Sequence, residues 1–291
     1  MKRWVVSLAV VLAGLAAVFA YGWYIGFGKF EVNRIDLTFA DLPPAFDGYR
    51  IVHFSDAHLG SFTGWREDLL RRDIDSIRAQ KADMVVFTGD LQNRKPTESE
   101  RFVDLLSTIT APDGVYSVLG NHDYTMYLKE EDPFIINEML GRSFGVHYKA
   151  GWRILSNAHV VIERGGQSII IAGMENDGEG RFPQNGNLNM ALSGVHRDEF
   201  IIMLEHDPTS WRRRILPHSH CQLTLSGHTH GGQFSLFGWS PSSLRYREVQ
   251  GLYSAGGGKR YLYVSRGIGG FIPWRLNSPA EITVITLHRS K

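Results

Sequence analysis

The 291 residues carry 31 Lys and Arg against 30 Asp and Glu, and 43% are hydrophobic, 12% aromatic and 21% charged. These values describe a packed globular chain, exclude disordered, collagen-like and coiled-coil sequences, and leave no basic field that would recommend nucleic acid as a partner. One cysteine, Cys221, excludes an internal disulfide and any cysteine-rich metal or redox motif.

The first predicted element is apolar. No charge occurs from Trp4 to Gly28, between the flanking pair Lys2 and Arg3 and the following Lys29. As a helix this stretch is long enough to cross a hydrocarbon core of about 30 Å. A cleavable leader ending at Val18-Phe19-Ala20 is the alternative. The run continues through Tyr21, Trp23, Tyr24, Ile25 and Phe27, an aromatic cluster suited to a membrane interface, and this favours a retained transmembrane anchor. Lys2 and Arg3 favour an inside N-terminus and a catalytic domain outside the cytoplasm, a bias that Lys29 and Arg34 weaken. Residues 1–29 are therefore read as a membrane anchor and residues 30–291 as one domain, since no linker or repeat divides them.

Within that domain the spacing predicts buried strands at 50–54, 84–88, 115–119, 168–172, 200–204 and 222–225, each rich in Val, Ile or Leu and stopped by Gly, Asp or Asn nearby. Helical patterns cover 65–80 and 97–109. Beyond residue 250, aromatic and β-branched segments at Leu252, 261–265 and 282–287 point to sheet. The expected fold class is α/β, two packed mixed β-sheets flanked by helices.

Chemistry collects where the strand-like runs end. The clusters are Ser55-Asp56-Ala57-His58, Thr88-Gly89-Asp90, Gly120-Asn121-His122-Asp123, Glu205-His206-Asp207 and Gly227-His228-Thr229-His230. Any one of them alone is more simply a surface or structural histidine. Five behind five strands place carboxylate, amide and imidazole groups where they converge at one sheet edge. Oxygen and imidazole donors without thiolate suit divalent Mn, Fe or Zn.

This ordered set resembles the calcineurin-like metallophosphoesterases, over roughly Ile51 to Leu287. Gly251-Leu252-Tyr253 and the stretch Leu262 to Gly267 look like the branch with membrane-anchored or exported phosphodiesterases and a UDP-2,3-diacylglucosamine pyrophosphatase. The resemblance implies two divalent metal ions, one held by Asp56, His58 and His230, the other by Asn121, His206 and His228, with Asp90 between them. It leaves His122 to donate a proton to the leaving oxygen or to stabilise phosphoryl oxygens, its ring oriented by Asp123. The implied activity is hydrolysis of a phosphodiester or pyrophosphate bond by direct attack of water, on a phosphorylated small molecule or a lipid-linked envelope substrate. A broad phosphodiesterase or phosphomonoesterase is the rival enzyme, and a non-catalytic metal-binding scaffold the rival class.

Several residues carry bland expectations. His53 reads as structural, and His147, His159, His196, His218, His220 and His288 lack comparable context. Asp207 faces away or caps a turn. Gln92 and Asn93 follow Asp90 without being required as ligands. Gly89, Gly120 and Gly227 permit tight turns that bring backbone close to the site. Arg212-Arg213-Arg214 reads as a solvated helix face, and one or two of Arg245, Arg247, Lys259, Arg260, Arg266 and Arg275 approach substrate phosphate. Tyr124 to Leu140 reads as core packing ahead of a site cap, and 176–189 as a mobile rim.

Overall fold

The computed structural model describes residues 2–290, and of Lys2 and Arg3, the basic flank used to orient the anchor, the backbone alone. In chain order the main elements are α1 (Lys2–Tyr21), β1 (Phe30–Phe39), β2 (Tyr49–Phe54), α2 (Arg66–Ala79), β3 (Met84–Phe87), α3 (Thr97–Glu100), α4 (Val103–Leu106), β4 (Val115–Ser117), α5 (Pro133–Lys149), β5 (Arg153–Ile154), β6 (Ala158–Arg164), β7 (Gln167–Gly173), β8 (Ile201–Leu204), β9 (Leu223–Ser226), β10 (Gly251–Ala255), β11 (Arg260–Val264) and β12 (Ala280–Arg289). They form two six-stranded mixed sheets, β1-β12-β2-β3-β4-β5 and β10-β11-β9-β8-β7-β6. In the first, β2, β3, β4 and β5 run parallel and β12 pairs antiparallel to β2; in the second, β7, β8, β9 and β11 run parallel.

Alternation along the strands builds the layers. Tyr49 and Ile51 of β2 with Met84 and Val86 of β3 face the second sheet, where Ile169, Ile171, Ile202, Leu204, Leu223 and Leu225 complete the inner core. The intervening Val52, Phe54, Val85 and Phe87 bury against Leu70, Ile74 and Ile77 of α2 and Trp152. Outside the second sheet, Ile170, Ala172, Ile201 and Met203 pack on Trp211 and Ile215. With each full burial contributing about 1.5 to 3 kcal/mol, two sheets and two outer coats fix one arrangement.

The expected strands are found within one or two residues, and the two-sheet architecture holds. Two expectations need correction. The helix expected over 97–109 is two single turns, because Phe102 adopts φ −108°, ψ 8° and sends its ring into the core. The apolar residues of 124–140 do not enter the core: Met126, Tyr127, Leu128, Ile135, Ile136, Met139 and Leu140 are half-buried and Phe134 is exposed, because α5 buries only its C-terminal half, through Ser143, Val146 and His147. Strands β1 and β6, absent from the sequence reading, are sheet edges.

His53, which reads as structural, and His147 are both buried and hydrogen-bonded inside the protein. His147 Nδ1 meets Ser117 Oγ at 3.0 Å, and His53 Nε2 meets Thr88 Oγ1 at 2.8 Å, both fully inside the protein. Burial lowers each imidazole to a pKa of about 3. A depressed folded-state pKa gives stability that is present above the unfolded value of about 6.5 and is lost as pH falls toward 3. His147→Gln is expected to flatten the acid limb of stability over that window, with little change at pH 8. Thermal denaturation as a function of pH tests this, and an unchanged acid slope contradicts it.

Candidate metal centre

The five clusters meet at the shared end of both sheets, in the loops after β2, β3, β4, β8 and β9. Asp90 lies at the middle. Its Oδ2 is 3.6 Å from His58 Nε2 and 3.2 Å from His206 Nε2. On one side, His58 Nε2 is 3.2 Å from His230 Nε2, which is 3.4 Å from Asp56 Oδ1. On the other, His228 Nδ1 is 3.3 Å from His206 Nε2 and 2.8 Å from Asn121 Oδ1. Donor atoms of Asp56, His58, Asp90 and His230 lie within 4.8 Å of one another, as do those of Asp90, His206 and His228. All seven sequence-predicted donors are thus together, in two groups that share Asp90.

Ring nitrogens facing one another beside buried carboxylates fit divalent cations, because a lone pair aimed at another lone pair has no hydrogen-bond solution for every member. The protonation states follow the same crowding. Burial opposes charge on His206, yet Asp90 overrides it and raises the imidazole to about 10. Burial alone would raise Asp90, but His206 and His122 hold its carboxyl well below the usual range. Burial raises Asp56 to about 7 and lowers His228 to about 4.

Backbone shape makes the convergence possible. Asp56, His58, Asp90, His228 and His230 all have positive φ, between 43° and 73°. Left-handed non-glycine residues are uncommon, and five of them at one site are strain held by the surrounding sheets. Two glycines confirm the close-approach expectation: a Cβ at Gly120 would overlap Asp90 Oδ1, and one at Gly227 would overlap Asp56 Oδ2.

His122 and Asp123 have different surroundings from those expected. The His122 ring stacks on Tyr127 at 4.0 Å between centroids, and its Nδ1 donates to the Asn93 carbonyl at 2.5 Å. Its Nε2 is 3.9 Å from Asp90 Oδ2, and the ring lines the cleft. Asp123, expected to orient that ring, instead accepts the backbone N–H groups of Asp90 at 2.8 Å, Leu91 at 2.9 Å and Gly120 at 3.0 Å. The orienting group is the Asn93 carbonyl, and Asp123 ties the Asp90 loop to the Asn121 loop.

A cleft of about 360 Å³ opens over the centre, lined by Asp90, Asn121, His122, His228 and His230 and by Tyr127, Arg181, Phe182, Tyr246 and Phe271. The last five are the residues that sequence reasoning missed, although Tyr127 and the Arg181–Phe182 pair lie in the segments singled out as cap and rim. Tyr246 Oη is 2.9 Å from His228 Nε2, on the side away from Asn121, and Asp207 Oδ2 is 3.5 Å from the same nitrogen. Asp207 also accepts from Thr209 N at 2.9 Å, so it caps a turn as one expectation had it.

The basic residues resolve differently. Arg275 is wholly buried and donates to the carbonyls of Ser278, Arg266, Gly267 and Gly269; it braces a loop and reaches no phosphate. Arg266 is spent on Glu281 and Glu31. Arg212 pairs with Glu248, while Arg213 and Arg214 both reach buried Asp177, which corrects the solvated-face reading. Arg245 lies over the Phe182 ring at 5.0 Å.

Sequence comparison agrees with this geometry. The family model for calcineurin-like phosphoesterases matches residues 49–232. The chain is 31% identical over 288 residues to the uncharacterized metallophosphoesterase YkuE of Bacillus subtilis, covering 96% of this chain and 93% of that one. It is 29% identical over 335 residues to the UDP-2,3-diacylglucosamine pyrophosphatase LpxG of Chlamydia muridarum, covering 96% of each chain. A transmembrane protein with metallophosphoesterase domain from Danio rerio is 29% identical over 292 residues, 97% of this chain and 62% of that one. The chain belongs to the calcineurin-like phosphoesterases and is a metal-dependent phosphoester hydrolase.

Proposed function

We propose that the chain is a membrane-anchored hydrolase whose seven donors hold two divalent cations, Mn, Fe or Zn. Asp56, His58 and His230 take one, Asn121, His206 and His228 the other, and Asp90 spans both. The observation that carries this reading is the position of Asp90 Oδ2, within 3.6 Å of a ring nitrogen from each group. When bound, such a pair supplies Lewis acidity at phosphoryl oxygens and makes water a nucleophile near neutral pH.

The chain's own groups do the rest. Because the Nδ1 hydrogen of His122 is spent on Asn93, Nε2 is the atom that passes a proton to the leaving oxygen. Arg181 sets positive charge at the rim, and Tyr127, Phe182, Tyr246 and Phe271 wall the cleft against water. His122→Ala is expected to keep its cations while turnover falls about 100-fold or more. Elemental analysis and kcat on the same preparation check both halves; full turnover would remove His122 from the reaction.

Residues 1–29 are read as the anchor of the domain formed by 30–291. The apolar span Trp4–Gly26 has mean hydropathy 2.3 and only 6% of its most apolar window is buried. Its end docks on the domain: Trp274 Nε1 donates to the Phe19 carbonyl at 3.1 Å, Arg275 N–H donates to the Gly22 carbonyl at 3.1 Å, and Phe27 enters the core. Cleavage after Ala20 would sever the Phe19 contact, which favours retention. With the LpxG relatives, the anchor supports a lipid-linked phosphodiester or pyrophosphate as substrate, UDP-2,3-diacylglucosamine among them.

Hydrolysis in oxygen-18 water by metal-reconstituted full-length protein, across phosphomonoesters, small phosphodiesters and lipid-linked pyrophosphates, tests the proposal. The expected result is label in the phosphate product and the highest kcat/KM on a lipid-linked compound. Preference for small substrates would favour the broad phosphoesterase, and absence of turnover the scaffold. Lys2 and Arg3 ahead of the apolar span support a catalytic domain outside the cytoplasm, and a C-terminal reporter active only in the cytoplasm would reverse that reading.

A further inference from the structure

The segment after His230 puts aromatic side chains where a water-facing loop has no use for them. Leu236 and Trp239 exchange both backbone hydrogen bonds, at 2.8 and 3.0 Å, and the two residues between them, Phe237 and Gly238, have φ of 51° and 82°. A two-residue hairpin turn with both central residues left-handed favours Asn or Asp followed by Gly. Here the first position is a phenylalanine, 100% exposed, flanked by Leu236 and Trp239, each close to half exposed. Leu244 is 82% exposed a few residues on, and Ile272, beside Phe271 of the cleft, is 55% exposed. An aromatic ring in that backbone region is strained, and a fully exposed ring recovers nothing from the core.

This apolar hairpin is tied to the end of α1. Phe234 pairs with Leu276, and its ring stacks on Trp274 at 6.5 Å. Trp274 donates to the Phe19 carbonyl, and a Cβ on Gly22 would overlap its indole, so helix and hairpin base share one tryptophan. Gln233 Nε2 binds the carbonyls of Ile272 and Trp274, each at 2.8 Å, joining the hairpin to the cleft wall. Charge follows the same pattern. No Asp or Glu occurs between Asp207 and Glu248 or between Arg266 and Glu281, while Arg245 and Arg247 close the hairpin segment.

We propose that the hairpin around Phe237, with Leu244 and Ile272, enters the interface of an anionic phospholipid bilayer beside the N-terminal helix, so that the catalytic cleft opens at headgroup level. The inference rests on the anchor reading and extends it from a tether to an orientation. Trp and Phe rings with acid-free, arginine-bearing flanks fit the headgroup and acyl boundary of such a bilayer, and continuity with α1 selects lipid over a protein partner. A substrate with acyl chains would then present its phosphate to the centre without leaving the membrane.

The test uses full-length protein in nanodiscs of phosphatidylcholine and phosphatidylglycerol, with and without brominated acyl chains. A fluorophore is attached at Phe237→Cys, at Leu12→Cys within the helix, or at Glu163→Cys on exposed β6; native Cys221 is buried and does not label. The expected result is loss of roughly half or more of the emission to brominated lipid at positions 237 and 12, and none at 163. Quenching at 12 without quenching at 237 overturns the inference and leaves the anchor standing. Quenching at neither removes both, and a blue-shifted but unquenched probe at 237 marks a protein partner and also overturns it.

Discussion

Asp90→Asn is expected to lower kcat/KM by on the order of 1,000-fold or more and to reduce bound divalent cation, while leaving the fold intact. The two oxygens of Asp90 have separate tasks. Oδ1 accepts the His122 backbone N–H at 2.8 Å, a contact that the amide oxygen of Asn preserves. Oδ2 faces His206 and His58, where the NH2 of that Asn would bring two N–H donors in place of negative charge. Since Asp90 is the one residue shared by both donor groups, the substitution weakens both at once. Circular dichroism and thermal denaturation without metal report the intact fold, and metal content with kcat/KM reports the loss. Turnover near that of the parent would remove Asp90 from the centre.

Asp123→Ala is expected to act in the opposite way, through stability. The Asp123 carboxylate is wholly inside the protein and accepts three short backbone hydrogen bonds, from Asp90, Leu91 and Gly120. Burial, with the negative charge of Asp90, raises its carboxyl to about 7, so these bonds are what makes the group tolerable. Truncation leaves three buried N–H groups without an acceptor. At about 1 to 3 kcal/mol for each unsatisfied group, partly relieved by water entering the space, a net loss of about 3 kcal/mol is expected, or roughly 6 to 12 °C in Tm. Activity falls as well, because the loops carrying Asp90 and Asn121 are no longer joined. Denaturant and thermal unfolding measure the first effect, and an unchanged Tm would show that other contacts hold those loops.

The contrast between these two residues shows what the sequence makes legible. Asp90 is readable because it stands just beyond the apolar run 84–88, and Asp56, Asn121, His206 and His228 likewise stand just beyond apolar runs. Strand ends on a shared sheet edge bring such groups together whatever the loop details. Asp123 is readable as a site residue but not in its role, since two of the three backbone N–H groups it accepts, those of Asp90 and Leu91, lie more than thirty residues away and leave no local signature. The carbonyl of Asn93 that orients His122 is invisible for the same reason, as any residue type supplies one. Positive φ at five donors is likewise a product of tertiary constraint, since left-handed backbone is uncommon for any non-glycine residue, Asp and His included.

Cleft walls were the least legible part. Arg181 and Phe182 lie in a loop whose residues Asn176 and Asp177 are buried, and nothing in its Gly/Asn-rich composition shows which side chain turns inward. Tyr246 sits between two arginines that looked the better candidates. At the edges of the sheets, β1 escaped notice because only Leu37 and Phe39 of its ten residues are buried, so its alternation carries charged and polar groups through most of its length. In β6 only Val160 and Ile162 point inward. The segment Tyr124 to Leu140 reads as core because its apolar residues outnumber the polar ones, and composition alone does not show that most of them stay half-buried.

The central claim is that two cations share Asp90, and the metal content of active preparations tests it most directly. Elemental analysis of purified full-length protein, titrated to maximal turnover, is predicted to give two divalent ions per chain, falling in Asp90→Asn in parallel with activity. Full turnover with one ion or none per chain would contradict the account.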